Sequence, residues 1–350
     1  MKSSLNMGGQ PAPPVVPPPV RRFGGVLLGA ALLMGCGGVP EPDTLTIYCG
    51  RGESLVGPVV EAFEAETGIA VEIRYGGTAD MAAQILEEGD ASPADVYYGQ
   101  DAGALGQLAL EGRLRPLPDS ILERVDGRFR DPGGRWVGTT GRARVFVYNT
   151  ELVDPADLPA TIHGLTDPRW KGRLGWAPTN GSFQAFVTAI RVLEGEEAAR
   201  DWLVGMLANE PVAYPNNTSI YQAAADGEIE VALSNHYYLF RFLVQHGDGF
   251  SARSMHSDAG GPGSLINISG GGVVDTAGNP EAAERFLSYL LTDAVQERFS
   301  RETFEYPLVP GIATDPAVTP LEEINPPDLD LGVLGDLRGT LDLLRDVGAI

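Results

Sequence analysis

The sequence predicts an α/β protein of two lobes with two interlobe crossings and a central cleft, on three observations. Short β-branched apolar runs alternate with longer helical patterns along most of the chain, as in parallel sheets flanked by helices. Roughly 310 residues follow an N-terminal leader, more than one small core usually holds. Two strand-like segments, near 136–149 and 264–276, lead from one group of elements to the other and back, which implies a hinge beside a cleft.

In chain order, Arg21-Arg22 precede an apolar stretch from Phe23 to Met34 that ends in Leu33-Met34-Gly35-Cys36. A dozen or so apolar residues fall short of the roughly 20 that a spanning helix needs. The segment resembles a bacterial lipoprotein signal, with cleavage before Cys36 and lipid on its thiol and amine, and its twin arginine weakly matches the signal for export of folded proteins. The expected divisions are a signal peptide at 1–35, a tether at 36–43, a first lobe at 44–140 with 276–350, and a second lobe with the crossings at 141–275.

The first lobe is expected to alternate a strand at Thr44 to Tyr48, a helix at Ser54 to Thr67, a strand at Ile69 to Tyr75, a helix at Thr78 to Glu88, a strand at Ala94 to Tyr98 and a helix at Asp101 to Glu111. Short strands at Leu174 to Ala177, Val212 to Tyr214 and Ile229 to Leu233, with helices near 182–194, 197–208 and 218–226, make the second lobe. The chain returns through Ser264 to Thr276, a strand-like run interrupted by Gly270-Gly271-Gly272. Helices near 280–291 and 293–301 follow, then an Asp/Pro-rich surface connection and a closing helix from Leu331 to Val347.

With 25 Lys+Arg against 47 Asp+Glu, the formal charge of -22 disfavours nucleic acid and anionic membrane surfaces as partners. Membrane contact is expected through the lipid anchor only, and the chain is expected to be a monomer. Lipidation consumes one of the two cysteines, so Cys49 reads as a small buried hydrophobe without a disulfide.

Tyr237 and Tyr238 carry the most information about function. A phenolate is a hard oxygen donor suited to Fe3+. Neighbours on a strand face opposite ways, so a pair acting together must lie off the strand. Ser234-Asn235 is read as an N-cap that places both tyrosines in the first turn of a helix, at the positive end of its dipole. Two amphipathic core rings are the plainer alternative. Tyr97-Tyr98 lies on a strand and is not assigned to metal, and His236 is read as a packing or capping residue.

Asn180-Gly181-Ser182 opens a helix, and so does Asn216-Asn217-Thr218-Ser219; with Asn235 these are three polar helix starts after three successive strands. Parallel strands put such ends on one edge, where free N–H groups hold an anion. Arg142 or Arg144 supplies a guanidinium to the same anion. Simple capping and a hinge ion pair remain the alternatives for these residues.

Together these stretches resemble the ferric-iron-binding proteins of bacterial ABC importers, which have the two-lobed periplasmic-binding-protein fold. The resemblance runs from Leu45-Thr46-Ile47-Tyr48 through Ser92-Pro93-Ala94-Asp95-Val96, Gly141-Arg142-Ala143-Arg144-Val145, Trp170-Lys171-Gly172-Arg173, Thr179-Asn180-Gly181-Ser182-Phe183 and Asn235-His236-Tyr237-Tyr238 to Glu305-Tyr306-Pro307-Leu308. It implies that Tyr237 and Tyr238 bind Fe3+ as cargo. It also implies that Asn180, Gly181, Ser182, Asn217, Asn235 and one of the two interlobe arginines hold a synergistic anion such as phosphate or carbonate; the resemblance leaves Arg142 and Arg144 both open, and Arg142 is taken as the candidate. An ABC permease would receive the iron. The chain departs from the family's pattern in the first lobe. Gly52 stands where several relatives have a histidine, and Gln100 followed by Asp101 where they have a glutamate, so the first lobe is expected to supply one ligand or none: Glu53, Gln100 and Asp101 are the candidate donors, and solvent exposure is the favoured alternative for Glu53 and Asp101.

A receptor for an anion or a ferric chelate is the rival within this class. A secreted hydrolase is the rival outside it. None of His163, His236, His246 and His256 lies in an HExxH arrangement and no G-x-S-x-G elbow occurs, so no enzyme activity is expected.

Overall fold

The computed structural model describes residues 44–257 and 260–350. The signal peptide, the tether and Cys36 lie outside the described residues.

Strand β1 (Thr44–Cys49), helix α1 (Glu53–Thr67), β2 (Ala70–Tyr75), α2 (Thr78–Glu88), β3 (Val96–Gly99) and α3 (Ala102–Leu110) build the first lobe. Its strands β2, β1 and β3 run parallel, so the turns entering α1, α2 and α3 share one edge. A short helix α4 (Asp119–Leu122) leads to β4 (Val137–Asn149), thirteen residues long and buried throughout. The second lobe comprises β5 (Leu174–Trp176), α5 (Gly181–Glu194), α6 (Glu196–Ala208), β6 (Val212–Ala213), α7 (Asn217–Ala225), β7 (Val231–Asn235), α8 (Tyr237–His246) and β8 (Ala252–Met255). Strands β6, β5 and β7 are parallel, so α5, α7 and α8 also start from one edge. The chain ends with β9 (Ile266–Val273), α9 (Pro280–Leu290), α10 (Asp293–Arg298), β10 (Tyr306–Pro307), α11 (Leu321–Ile324) and α12 (Leu337–Asp346).

The crossing is made by β4. Its first half pairs with β9 in the first-lobe sheet, and its second half pairs with β7 and β8 in the other. The triple glycine does not interrupt β9, which pairs through it with β3 and β4. Side chains are what the packing refuses there: a Cβ on Gly270 would meet the Val137 carbonyl oxygen at 2.5 Å, and one on Gly271 the Leu287 Cδ2 at 2.7 Å.

Separate cores form in each lobe. In the first, Phe63 meets Phe286 edge-on at 5.2 Å; in the second, Phe186 meets Trp202 edge-on at 5.5 Å. Cys49 is buried in the first core, where desolvation pushes its thiol up to about 11. Among the described residues no helix is long and apolar enough to cross a membrane.

The C-terminus differs from the sequence expectation. A single closing helix on the first lobe was expected, but the run breaks at Asp336, whose carboxylate accepts from the Gly339 N–H at 3.0 Å and starts α12 afresh. A 3₁₀ turn at Leu331–Gly335 stays with α3, while Leu343 and Leu344 of α12 enter the second-lobe core. Thr340 and Thr188 share a hydrogen bond at 2.7 Å, and Arg191 of α5 pairs with Asp336 at 2.7 Å. The tail is therefore a third link between the lobes, decided by which apolar surface the amphipathic α12 could reach.

Candidate metal and anion site

The two edges carrying the helix starts face each other across a cleft of about 740 Å³. The first lobe lines it with the Gly50–Glu53, Tyr75–Asp80 and Gln100 segments, the second with Thr179–Gly181, Asn216, Thr218, Tyr238 and Arg241.

Tyr237 and Tyr238 open α8 with ring centroids 4.1 Å apart and planes 30° apart. Tyr238 faces the cleft, whereas Tyr237 is fully buried behind it. The tyrosines do occupy a first helical turn, but Ser234-Asn235 does not cap it. The β4–β7 ladder extends to Asn235, and the His236 N–H continues it to the Ala143 carbonyl at 3.0 Å. His236 takes the cap position with helical dihedrals and no side-chain cap bond. Burial holds the Tyr237 phenol well above its ordinary value, the charges of Tyr238 and Glu305 push the same way, and Arg142 opposes them. Ionisation of this phenol thus requires a cation close to it.

His236 is a staple. Its Nδ1 accepts from the Ala143 N–H at 3.1 Å, its Nε2 lies 2.8 Å from the Phe304 carbonyl, and its ring stacks on Tyr306 at 4.6 Å. Burial lowers its pKa to about 3, with His256 adding to the effect. The folded protein thus keeps a neutral imidazole while the unfolded chain gains a proton below about 6.5, so stability falls with pH through that window by up to ~1.4 kcal/mol per pH unit. Urea unfolding between pH 6.5 and 4 should show this slope in the wild type and lose that share of it in His236→Gln; identical slopes would refute the assignment.

The two interlobe arginines have different surroundings. Arg144 packs over Phe183 and Phe186, at 5.6 and 5.0 Å from their centroids, and reaches the Asn235 Oδ1 at 3.3 Å. Desolvation lowers its pKa to about 9. Arg142 is 1% exposed, donates Nη2 to the Ile268 carbonyl at 2.7 Å, and has Nε and Nη1 without hydrogen-bond partners. Arg144 also has its Nε unpartnered, but two free donors against one make Arg142 the stronger anion partner.

At the start of α5, Asn180 accepts from the Ser182 N–H at 3.1 Å and from its hydroxyl at 2.6 Å. Asn217 donates to the Ser182 hydroxyl at 3.2 Å, and its buried Oδ1 has no partner. Asn216, not Asn217, caps α7, accepting from the Ser219 N–H at 2.9 Å. Asn180, Gly181, Ser182 and Asn217 are thus brought together, while the Oδ1 of Asn235 is occupied by Arg144.

In the first lobe Glu53 is exposed at the rim and Gln100 lines the cleft. Asp101, for which the sequence favours solvent exposure, is instead 4% exposed; its Oδ1 caps α3 through the Ala104 N–H at 2.9 Å. Desolvation raises its pKa, with Arg142 opposing. Tyr97 and Tyr98 diverge, Tyr97 donating to the Thr78 carbonyl and Tyr98 pointing to Thr139 and Arg51. Among the described residues no three His, Cys, Asp or Glu side chains gather as a metal site, so hard-donor capacity rests on the phenols.

Sequence reasoning missed the buried pair of Arg51 and Glu305, joined through Nη2 at 2.8 and 2.7 Å. Glu305 belongs to the Glu305-Tyr306-Pro307 stretch that carried part of the resemblance, but only the fold shows its partner. Asn267 was also missed. Its Oδ1 accepts from the Ala102 N–H at 3.1 Å, tying β9 to the turn that presents Asp101.

The chain matches the family described as "Bacterial extracellular solute-binding protein" over residues 59–326. It is 31% identical to the Fe(3+)-binding periplasmic protein of Serratia marcescens, across 93% of this chain and 96% of that one. It is 32% identical to the major ferric iron-binding protein of Neisseria meningitidis, across 92% and 97%. Iron-bound HitA from Pseudomonas aeruginosa superposes with a TM-score of 0.84 at 37% identity, covering 88% of this chain and all of that one. Trichodesmium FutA in complex with iron and citrate gives 0.76 at 29% identity, covering 87% and 99%.

Proposed function

The chain belongs to the bacterial extracellular solute-binding proteins, among the ferric-iron-binding periplasmic members, and from that premise we propose that it captures Fe3+ between its lobes, with Tyr237 and Tyr238 as phenolate ligands. It is an exported solute-binding protein and not an enzyme. In this reading it is anchored by lipid at Cys36 and passes its cargo to an ABC permease.

The observation that carries the proposal is the phenol pair at the start of α8, whose buried member feels the charge of Arg142, a guanidinium with two free donors. Charge supports the anion. Fe3+ with two phenolates keeps one positive charge and Arg142 adds another, so a phosphate or carbonate at the start of α5 offsets both. Asn180, Gly181, Ser182, Asn217 and Arg142 form that cradle, with Asn235 behind it. Gln100 and Glu53, which line the cleft from the first lobe, are the candidates to complete the metal's coordination.

A second reading is favoured by the size of the cleft. At about 740 Å³ it exceeds what an ion and one phosphate fill, and a ferric chelate of a small polycarboxylate suits it. Iron supplied with phosphate, carbonate or citrate to the metal-free protein should produce a visible tyrosinate-to-iron band in the wild type and none in the Tyr237→Phe/Tyr238→Phe double variant. A band with citrate alone selects the chelate reading. Absence of a band under every condition rejects the phenolate site.

A further inference from the structure

Gly181 stands where the lobes meet. A Cβ placed on it would lie 3.1 Å from the Asp101 Oδ2 and 3.9 Å from the Thr78 Cβ, both first-lobe atoms. The backbone at Gly181 has no left-handed strain, so space and not φ calls for glycine. While Oδ1 caps α3, Oδ2 projects across the cleft onto the first turn of the fourteen-residue α5. The positive end of the α5 dipole favours a carboxylate there. One buried group independently calls for an anion: Arg142, whose Nε and Nη1 have no partner and whose charge acts on Asp101.

We propose that Asp101 is a built-in counter-anion: its carboxylate occupies the α5 anion cradle from the opposite lobe, and an exogenous anion binds there only by displacing it. The proposal rests on the reading of the α5 start as an anion site, and it names what regulates that site. In the charge balance above, Asp101 supplies one of the two negative charges that Fe3+ and Arg142 require. Iron capture then depends less on an exogenous anion, and the same carboxylate repels free phosphate while iron is absent.

The test uses the iron-free full chain and inorganic phosphate. Asp101→Asn keeps the α3 cap, because asparagine caps as well as aspartate does, and Asp101→Ser retains a capping hydroxyl should the first variant fold poorly. Isothermal titration calorimetry is expected to show phosphate binding at least tenfold tighter to either variant than to wild type. Equal or weaker binding, or no binding to any of the three proteins, overturns the proposal. The tyrosinate band on iron addition is read separately. If the wild type never develops it, the ferric reading fails while the phosphate comparison still decides the role of Asp101.

Discussion

Tyr237→Phe and Tyr238→Phe, made singly, are each expected to lower ferric-iron affinity by roughly 10²–10³-fold. The scale comes from four-ligand protein metal sites, whose binding free energy of about 10–16 kcal/mol amounts to roughly 2.5–4 kcal/mol per ligand, and 1.4 kcal/mol is a factor of ten. The fold should survive both changes. Tyr238 faces the cleft, and removing the Tyr237 hydroxyl leaves an apolar ring in a buried place. The two variants should therefore unfold near the wild-type temperature while losing iron to a competing chelator. Competition titrations that leave either variant within a factor of three of wild type would remove that phenol from the ligand set.

Arg51→Met is expected to produce the largest loss of stability among single changes near the site. Arg51 is 2% exposed and Glu305 is fully buried. Removing the guanidinium strands a carboxylate in the interior, which costs about 3–5 kcal/mol, whereas replacing both partners with apolar residues is often neutral. Unfolding should shift down by roughly 6–15 °C in Arg51→Met and recover most of that in Arg51→Met/Glu305→Leu. Equal losses in the single and double variants would show that packing, not charge, dominates. The pair also bears on the site, since Arg51 belongs to the turn after β1 and Glu305 to the segment that meets His236 and β4. Its loss is expected to loosen the hinge and weaken iron retention with it.

The alternation of strands and helices was legible because each strand is a short apolar run and each helix carries a polar start. Helix α2 has the expected bounds, and α1, α5, α6, α7 and α9 begin or end within a residue or two of them. The placement of the tyrosines in a first helical turn was legible for the same reason. Residues that act through distant partners were not. Asp101 reads as an exposed carboxylate until β3 carries it against α5, and Arg51 reads as part of a glycine turn until Glu305 arrives from 254 residues away. The cap at Ser234-Asn235 was misread because ladder pairing with β4 outweighed a local capping preference.

Local chemistry in the sequence thus determined the class of fold, the parallel edges with their polar helix starts, and the hard-donor pair. Periodicity, capping and donor type act over a few residues and are written in consecutive letters. Only the tertiary structure decided which arginine keeps the larger share of free donors, which carboxylate reaches across the cleft, and which lobe receives the final helix. Those outcomes depend on burial and on side chains that meet only after the chain has crossed β4 and returned through β9, so nothing short of the packed sheet contains them.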